Sequence, residues 1–272
     1  MNSVLVVGRN SYLAASFIAA MPRDRLRLAH HGEIDDPDLL DGVGCVVSFA
    51  RDPAIASPDY APDRDSDVRL GERRAGRDGI AFITMSTRKV YAPSDAPLGE
   101  DAPLGPTDAY GRNKLAVEER LRALLGGERL SVLRIANVFG DERAAGRRTF
   151  MAQVLDLLRR GDRIVFDMSP LTPRDFLPVE AFGRIVAGIA LDPPGGVLNV
   201  GSGIPLAAGR LAHWVLMGYG RGRLVATSGV ERDGFVLDVR RLTARYGPPC
   251  SYDDLRRTCI GLGRGLATED AT

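Results

Sequence analysis

Five short apolar runs, separated by segments of helical pattern, constrain the fold more than any other feature of this sequence. The runs cover residues 4–8, 26–29, 45–49, 80–85 and 131–135. Continuous apolar runs of this length are typical of strands buried on both faces of a parallel sheet. Their alternation with helical segments predicts an α/β fold, a doubly wound parallel sheet with helices on both faces.

The remaining elements are weaker and shorter. A crossover helix is predicted near 68–75, within a stretch at 51–79 that is rich in Asp, Arg and Pro. We expect a larger domain over 1–165 and a smaller lobe over 166–272, interleaved with the end of the main sheet. Further helices are predicted at 150–160, 180–191, 206–216 and 252–262, and further strands at 163–166, 197–200 and 235–239.

Composition excludes several classes of protein. The 272 residues include 36 basic and 35 acidic side chains, so the chain lacks the basic excess of a dedicated nucleic-acid binder. No apolar stretch is long enough to span a membrane, and no secretory signal pattern opens the chain. Three cysteines without a close pair argue against a zinc site or a disulfide framework. We therefore expect a cytoplasmic protein.

A helical segment at 107–125 carries the first chemical signal. Tyr110 and Lys114 are four residues apart, so both side chains project from one side of the helix. Thr107 or Asp108 is a suitable N-cap. A nearby ammonium favours the phenolate, and such a phenol can act as an acid or a base. Taken alone, the spacing is more often that of an ordinary surface pair.

A hydroxyl residue follows the apolar run at 80–85. Thr87 stands in the segment Ser86-Thr87-Arg88-Lys89-Val90-Tyr91, where the strand is predicted to end. Parallel α/β sheets bind their ligands outside the carboxyl ends of the strands. We therefore expect Thr87 to hydrogen-bond a substrate carbonyl or alcohol oxygen, opposite Tyr110.

Four sequence blocks in this order resemble a known family. The first block is the strand with Ser-Thr-x-x-Val-Tyr together with the Tyr-Gly-x-x-Lys that follows it, and three further blocks come after it. The pattern resembles the extended short-chain dehydrogenase/reductases, which include nucleotide-sugar epimerases, dehydratases and ketoreductases. The further blocks are Leu-Arg-Ile-Ala-Asn-Val-Phe-Gly at 133–140, Arg-Asp-Phe-Leu-Pro-Val at 174–179 and Asn-Val-Gly-Ser-Gly at 199–203.

The resemblance implies a Rossmann-type dinucleotide-binding domain and roles for five residues. Tyr110 would be the general acid/base, Lys114 would bind the nicotinamide ribose and favour ionisation of Tyr110, and Thr87 would position the reacting oxygen. Asn137 would lie near the substrate. Arg174 would contact a substrate diphosphate, which suits a forked guanidinium. The alternative for Arg174 is a structural ion pair with its neighbour Asp175. The resemblance also implies a homodimer through the helix of Tyr110.

The phosphate-binding loop departs from the family pattern. The family has Gly-x-x-Gly-x-x-Gly after the first strand, whereas here only Gly8 is retained, with Ser11 and Ala14 at the other two positions. These residues are small, and the helix that follows would still direct amide groups at a phosphate. Either the cofactor geometry is altered or the site is lost, and the retained catalytic residues favour the first. The predicted cofactor contacts here are Gly8, Arg9, Asn10, Ser11, Tyr12, Leu13 and, after the third strand, Ala50.

Cofactor choice depends on the end of the second strand. NAD enzymes place an acidic residue there, whereas this chain has Ala29, His30 and His31, with no carboxylate before Glu33. Arg9 adds positive charge beside the expected adenosine ribose. Both features favour NADP, with NAD possible. His30 is predicted to contact the cofactor; the alternative is an exposed turn residue. The two histidines lack the spacing of a metal site.

The two residues after Thr87 bear on the reaction. Dehydratases of the family carry an acidic pair there, whereas this chain has Arg88 and Lys89. Two cations cannot eliminate water by the same acid/base chemistry. The sequence therefore favours a ketoreductase that transfers hydride from NADPH to a nucleotide-linked sugar or similar carbonyl compound, with Arg88 at the substrate. The alternatives are a nucleotide-sugar epimerase with retained NAD and, because of the thin glycine loop, a non-catalytic dinucleotide-binding regulator.

Overall fold

The computed structural model describes residues 3–77, 79–143 and 149–270. The strands are β1 (Ser3–Val7), β2 (Leu26–Ala29), β3 (Val43–Ser48), β4 (Ala81–Thr87), β5 (Leu130–Ile135), β6 (Asn137–Phe139), β7 (Arg163–Phe166), β8 (Pro173–Pro178), β9 (Gly196–Val200), β10 (Pro205–Ala207) and β11 (Arg223–Ala226). The α-helices are α1 (Tyr12–Ala20), α2 (Ser66–Arg74), α3 (Ala109–Leu125), α4 (Phe150–Gly161), α5 (Val179–Leu191), α6 (Ala208–Tyr219), α7 (Arg240–Tyr246) and α8 (Tyr252–Asp270).

The central sheet has six strands in the order β2-β1-β3-β4-β5-β9, and every neighbouring pair is parallel. This confirms the predicted doubly wound α/β fold. The chain passes from β2 across β1 to β3, so the strand order reverses between β1 and β3. Such a reversal opens a crevice at the carboxyl ends of the strands, where open α/β sheets bind their ligands.

Alternating side chains of the central strands pack into two helical layers. Val4 and Val6 face the core shared with α1 and α5, whereas Leu5 and Val7 face the core shared with α2 and α3. The two-residue period of a strand therefore distributes one apolar run over both faces of the sheet. Burial on both faces explains why the runs are continuously apolar.

The second lobe contains two small sheets. One has the order β10-β8-β6, and the other pairs β11 with β7 in parallel. Helices α4, α6 and α8 pack around them in a separate apolar core. Helix α5 and strand β9 return to the central sheet, so the chain passes between the two lobes more than once. None of the helices that the structure describes is long and apolar enough to cross a membrane.

The sequence prediction was wrong at several short elements. The strand predicted at 235–239 is reduced to two single-residue bridges, Leu98–Leu237 and Arg174–Phe235. The helix predicted at 206–216 starts later, because Leu206 pairs with β8 as part of β10. Strands of three or four residues carry too little periodic signal to be recognised. The strands missed in this way are β6, β10 and β11, and the longer strand β8 and helix α7 were missed as well.

Candidate active site

A small cavity of about 220 Å³ lies at the carboxyl end of the central sheet. Its wall includes four residues predicted for the site, namely Leu13, Thr87, Tyr110 and Asn137. They come from the first turn of α1, the end of β4, the start of α3 and the start of β6. The structure therefore brings together residues that were assigned to cofactor, catalysis and substrate from separate motifs.

The start of α3 is pressed against the turn that follows Thr87. Asp108 caps the helix by accepting a hydrogen bond from the Gly111 amide at 2.8 Å. A Cβ at Gly111 would clash with the Lys89 carbonyl oxygen, so only glycine permits this approach. The Thr87 hydroxyl oxygen accepts from the Lys89 amide at 3.3 Å. These contacts explain the Tyr-Gly pair and hold Tyr110 next to the Thr87 turn.

Lys114 is buried beneath the same helix face, with only 6% of its surface exposed. Its ammonium group donates to the Met85 carbonyl of β4 at 3.0 Å. An ammonium has three donors, so two stay available for other acceptors. The side chain is therefore anchored to the sheet one helical turn from Tyr110.

A buried acidic residue of α2 was missed by the sequence analysis. Asp67 is 1% exposed and accepts hydrogen bonds from Ser48 and, at 2.5 Å, from Thr84. Burial and the charge of Asp65 raise the pKa of Asp67 to about 6, while Lys114 and the two hydroxyls act in the opposite direction. In the sequence it precedes the crossover helix predicted near 68–75 and lies in a stretch rich in Asp, Arg and Pro, where one more acid gives no signal.

The loop after β1 has one glycine, and the structure shows why it is indispensable. Gly8 has φ +81°, and a Cβ there would lie 2.8 Å from the Ala50 amide nitrogen. The Gly8 and Arg9 amides both donate to the Ala29 carbonyl, at 3.1 and 3.3 Å. Gly8 and Ala50 therefore meet at the strand reversal between β1 and β3. Arg9 and Asn10 are exposed beside them.

Close packing of α1 does not depend on glycines in its own loop. The Ser11 side chain makes no capping hydrogen bond at the start of α1. Glycines instead lie on the facing elements, because a Cβ at Gly140 or Gly183 would clash with Tyr12 or Ser16. The helix N-terminus is thus brought to the crevice without the family's second and third glycines. A tight glycine turn and a helix N-terminus at a strand reversal fit a dinucleotide pyrophosphate.

The end of β2 differs from the sequence interpretation in one respect. Nδ1 of His30 accepts from the Gly32 amide at 3.2 Å, and the Glu33 carboxylate accepts from the His30 amide. The turn therefore returns Glu33 to the strand end, although it is several residues farther along the chain. Among the described residues, no group of three or more His, Cys, Asp or Glu side chains is placed to hold a metal ion.

Arg174 is not paired with Asp175, so that alternative is wrong. Nη2 of Arg174 donates to the Arg232 carbonyl at 3.1 Å and lies 3.9 Å from the Asp233 carboxylate. Arg88 forms an ion pair with the same carboxylate. Burial lowers the pKa of Arg174, and the charge of Arg88 lowers it further, against the opposite effect of Asp233. The two guanidinium groups are therefore neighbours.

Asp175 has a different task. Its buried carboxylate accepts from the Ser202 amide at 2.7 Å, the Ser202 hydroxyl at 2.8 Å, the Gly203 amide at 3.0 Å and the Leu237 amide at 3.2 Å. Burial raises the pKa of Asp175 against these hydrogen bonds. The Arg-Asp-Phe block is thereby tied to the Asn-x-Gly-x-Gly turn and to the loop that carries Asp233.

A larger cavity of about 1550 Å³ opens beside the small one. Its wall includes Arg88, Lys89, Asp108, Arg232 and Asp233. Lys89 is neutralised by Asp108 at 2.5 Å. Thr87 lines the small cavity and Arg88 the large one, so consecutive residues of the chain contribute to both walls.

Comparison with known proteins agrees with this geometry. Residues 70–201 match the model of the NAD dependent epimerase/dehydratase family. The chain is 25% identical over 189 residues to the dTDP-4-dehydro-6-deoxyglucose reductase of Escherichia coli, covering 66% of this chain and 59% of the reductase. It is 36% identical over 133 residues to the UDP-glucose 4-epimerase of Azospirillum brasilense, covering 43% of this chain and 37% of the epimerase. Each alignment thus spans less than two thirds of the relative.

The fold extends the likeness to almost the whole chain. A UDP-N-acetylglucosamine 4-epimerase from Methanobrevibacter ruminantium M1, solved with UDP-N-acetylmuramic acid, superimposes with a TM-score of 0.81 at 18% identity, covering 98% of this chain and 99% of that one. Other solved structures of this fold are complexes with NAD and with NADPH. These solved structures share the Rossmann-type fold of this chain. Residues 70–201 carry the match to the NAD dependent epimerase/dehydratase family, which confirms the predicted resemblance over that part of the chain.

Proposed function

We propose that the chain is a ketoreductase that reduces the keto group of a nucleotide-linked sugar with NADPH. The observation that carries the proposal is the small cavity in which Leu13, Thr87, Tyr110 and Asn137 meet. A phenol and a hydroxyl at the carboxyl end of a doubly wound sheet are what carbonyl reduction requires. The nicotinamide, when bound, supplies the hydride.

The protein's own groups handle the oxygen and the proton. Because the Thr87 oxygen accepts from the Lys89 amide, its O–H is left to donate to the substrate oxygen. Tyr110 would transfer its phenolic proton to that oxygen as negative charge develops on it. Lys114, held by the Met85 carbonyl one helical turn from Tyr110, would favour the phenolate that remains, and solvent would later replace the proton on Tyr110.

The size of the larger cavity supports a substrate of nucleotide-sugar dimensions. Its volume of about 1550 Å³ exceeds the range of about 300–1,000 Å³ that is usual for drug-sized ligands. Arg232 lines this space, and Arg174 lies beside it. Guanidinium groups match the oxygens of a diphosphate.

NADPH as the reductant is supported by the charges at the ends of β1 and β2. Arg9 is exposed beside the strand reversal, and no acidic residue directly ends β2. The Glu33 carboxylate that returns to this position is engaged by the His30 amide. A 2′-phosphate would gain from Arg9, whereas Glu33 would favour the ribose hydroxyls of NAD. A thermal-shift comparison of NADP and NAD separates the two, since the tighter ligand stabilises the folded state more.

A second candidate is a nucleotide-sugar epimerase that retains its NAD. The 36% identity to a UDP-glucose 4-epimerase over 133 residues favours it. The two reactions differ in their redox balance. A reductase consumes one reduced cofactor per product, whereas an epimerase returns the hydride and shows no net oxidation.

The central test replaces Tyr110 with Phe. We expect the rate of NADPH oxidation by nucleotide-linked keto sugars to fall by about 10²- to 10⁴-fold, because the proton donor is removed. NADPH binding should change by no more than about threefold, since the ring and Lys114 are retained. Absorbance of the reduced nicotinamide reports the rate, and calorimetry reports the binding.

Tyr252→Phe is a matched control, because this tyrosine is exposed at the start of α8. It should behave like the unmodified protein. Turnover that survives in Tyr110→Phe at the unmodified rate would show that the mechanism is wrong. Failure of both NADP and NAD to bind would remove the cofactor and the proposed function with it.

A further inference from the structure

Two guanidinium groups share one carboxylate at the rim of the larger cavity. Arg88 pairs with Asp233, and Nη2 of Arg174 lies 3.9 Å from the other oxygen of that carboxylate. Within residues 3–77, 79–143 and 149–270, no second acidic side chain forms an ion pair with either arginine. The site therefore carries an excess of positive charge.

Arg88 is held in place as a cation rather than left mobile. Its side chain is only 13% exposed, and its guanidinium carbon lies 4.0 Å from the centre of the Phe235 ring. Stacking on the ring face fixes the plane of the guanidinium and leaves its N–H edges for hydrogen bonds. Lys89, the neighbouring cation, is already neutralised by Asp108. Of these two adjacent cations, Arg88 is the one prepared for a ligand.

The Asp233 carboxylate is bound only weakly by the two arginines. Its side chain is 43% exposed, and its backbone adopts a left-handed conformation with φ +58°. That conformation is disfavoured for a residue with a Cβ. A carboxylate on an exposed turn competes poorly with a ligand anion that is held by other contacts as well. Asp233 thus marks where a planar anion fits.

The position of Arg88 says which part of a substrate this anion belongs to. Arg88 directly follows Thr87, and consecutive Cα atoms are about 3.8 Å apart. Thr87 lines the small cavity together with Tyr110. Arg88 is therefore the arginine of this pair that adjoins the catalytic hydroxyl in the chain, while its guanidinium lines the larger cavity. The diphosphate of a nucleotide sugar is assigned to Arg174, so an anion at Arg88 belongs to the sugar that lies between the diphosphate and Thr87.

We infer that Arg88 binds a carboxylate carried by the sugar ring, and that the substrate is a nucleotide-linked uronic acid or its keto derivative. Asp233 holds the place of that carboxylate in the free protein and leaves it when the substrate binds. The inference rests on the proposed nucleotide-sugar function and narrows it to one class of sugar.

The test compares UDP-glucose with UDP-glucuronic acid, which differ only in the group on the last ring carbon. Calorimetry with the NADP-loaded protein should show at least about tenfold tighter binding of UDP-glucuronic acid, since one charge-assisted hydrogen-bonded pair is gained. In Arg88→Gln the ratio of the two affinities should fall to about one. Arg88→Lys should give an intermediate ratio, because the charge is kept while the planar fork is lost.

Arg210→Gln, an exposed arginine of α6, is the control and should keep the full ratio. Thermal denaturation of each variant establishes that it is folded, and Arg88→Lys carries the test if Arg88→Gln is not. Equal binding of the two nucleotides by the unmodified protein overturns the inference and leaves the proposed function standing. A preference that survives in Arg88→Gln also overturns it. Binding of neither nucleotide overturns the inference, and NADP binding then decides whether the proposed function stands.

Discussion

The fold contains two arginine clusters, and they differ in how fully their guanidinium groups are hydrogen-bonded and charge-paired. Arg134 and Glu118 are 3% and 2% exposed, with Nη2 of Arg134 donating to Glu118 at 2.7 Å. Nε of Arg134 donates to the same carboxylate, Ser86 donates to it as well, and the guanidinium lies 4.7 Å from the Tyr91 ring centre. In the other cluster, Arg88 and Arg174 share a half-exposed carboxylate beside a large cavity.

The cluster of Arg134 and Glu118 has its hydrogen-bond donors paired more fully than the cluster of Arg88, Arg174 and Asp233. Burial lowers the pKa of both arginines, but Glu118 outweighs it and raises the pKa of Arg134, whereas Asp233 leaves that of Arg174 lowered. Nε of Arg174 is buried and has no hydrogen-bond partner in the structure as described. Unsatisfied buried donors are rare in native proteins and need an explanation. A ligand anion at Arg174 supplies one.

The largest effect on stability should come from breaking the ion pair of Arg134 and Glu118. Glu118→Gln leaves the Arg134 charge buried without its counterion, and loss of one partner of such a pair costs about 3–5 kcal/mol of unfolding free energy. Chemical denaturation measures it. Glu119→Gln, one residue along and exposed, should change the unfolding free energy by less than about 0.5 kcal/mol. Similar values for the two variants would contradict the structural role of this pair.

An intermediate effect, on ligand binding more than on stability, is expected from Arg174→Gln. Its unfolding free energy should fall by less than that of Glu118→Gln, because the partner carboxylate of Arg174 is solvated. Binding of UDP should weaken by about 10- to 100-fold, since charge-assisted hydrogen bonds to phosphate are lost. Calorimetry checks the binding and denaturation the stability. If stability falls as far as in Glu118→Gln while UDP binding is retained, the two clusters do not differ as described.

The smallest effect should follow Asp233→Asn. Asn tolerates the left-handed backbone at this position, and an exposed ion pair contributes only about 0–1 kcal/mol. Removing the internal carboxylate should tighten binding of UDP-glucuronic acid by about two- to fivefold, as the ligand no longer competes with it. Weaker binding in this variant would instead assign Asp233 to the bound state as a substrate contact.

The central sheet and the catalytic group were predictable because their signals are local. Continuous apolar runs mark strands buried on both faces, and each of the five predicted runs overlaps a strand of the central sheet. Tyr110 and Lys114 project from one helix face because the helical repeat requires it. The small lobe was harder to predict, since strands such as Pro205–Ala207 exist only through their pairing with β8.

Two features of the site depended on contacts between distant segments. Asp67 is acidic, yet it is buried and accepts hydrogen bonds from hydroxyls of β3 and β4. Asp233, in a loop without regular structure, joins Arg88 to Arg174. No periodicity or spacing in the sequence indicates such pairings.

The sequence by itself determined five strands of the central sheet, the family resemblance and the placement of Tyr110 and Lys114 on one helix face. These follow from hydrophobic periodicity and helical geometry, which act over a few residues. Only the tertiary structure decided which arginines are fully hydrogen-bonded and charge-paired and which lie at a cavity. It also decided where the carboxylates of Asp67, Asp175 and Asp233 lie. The physical reason is that burial and charge pairing depend on neighbours in space, and residues distant in the sequence supply those neighbours.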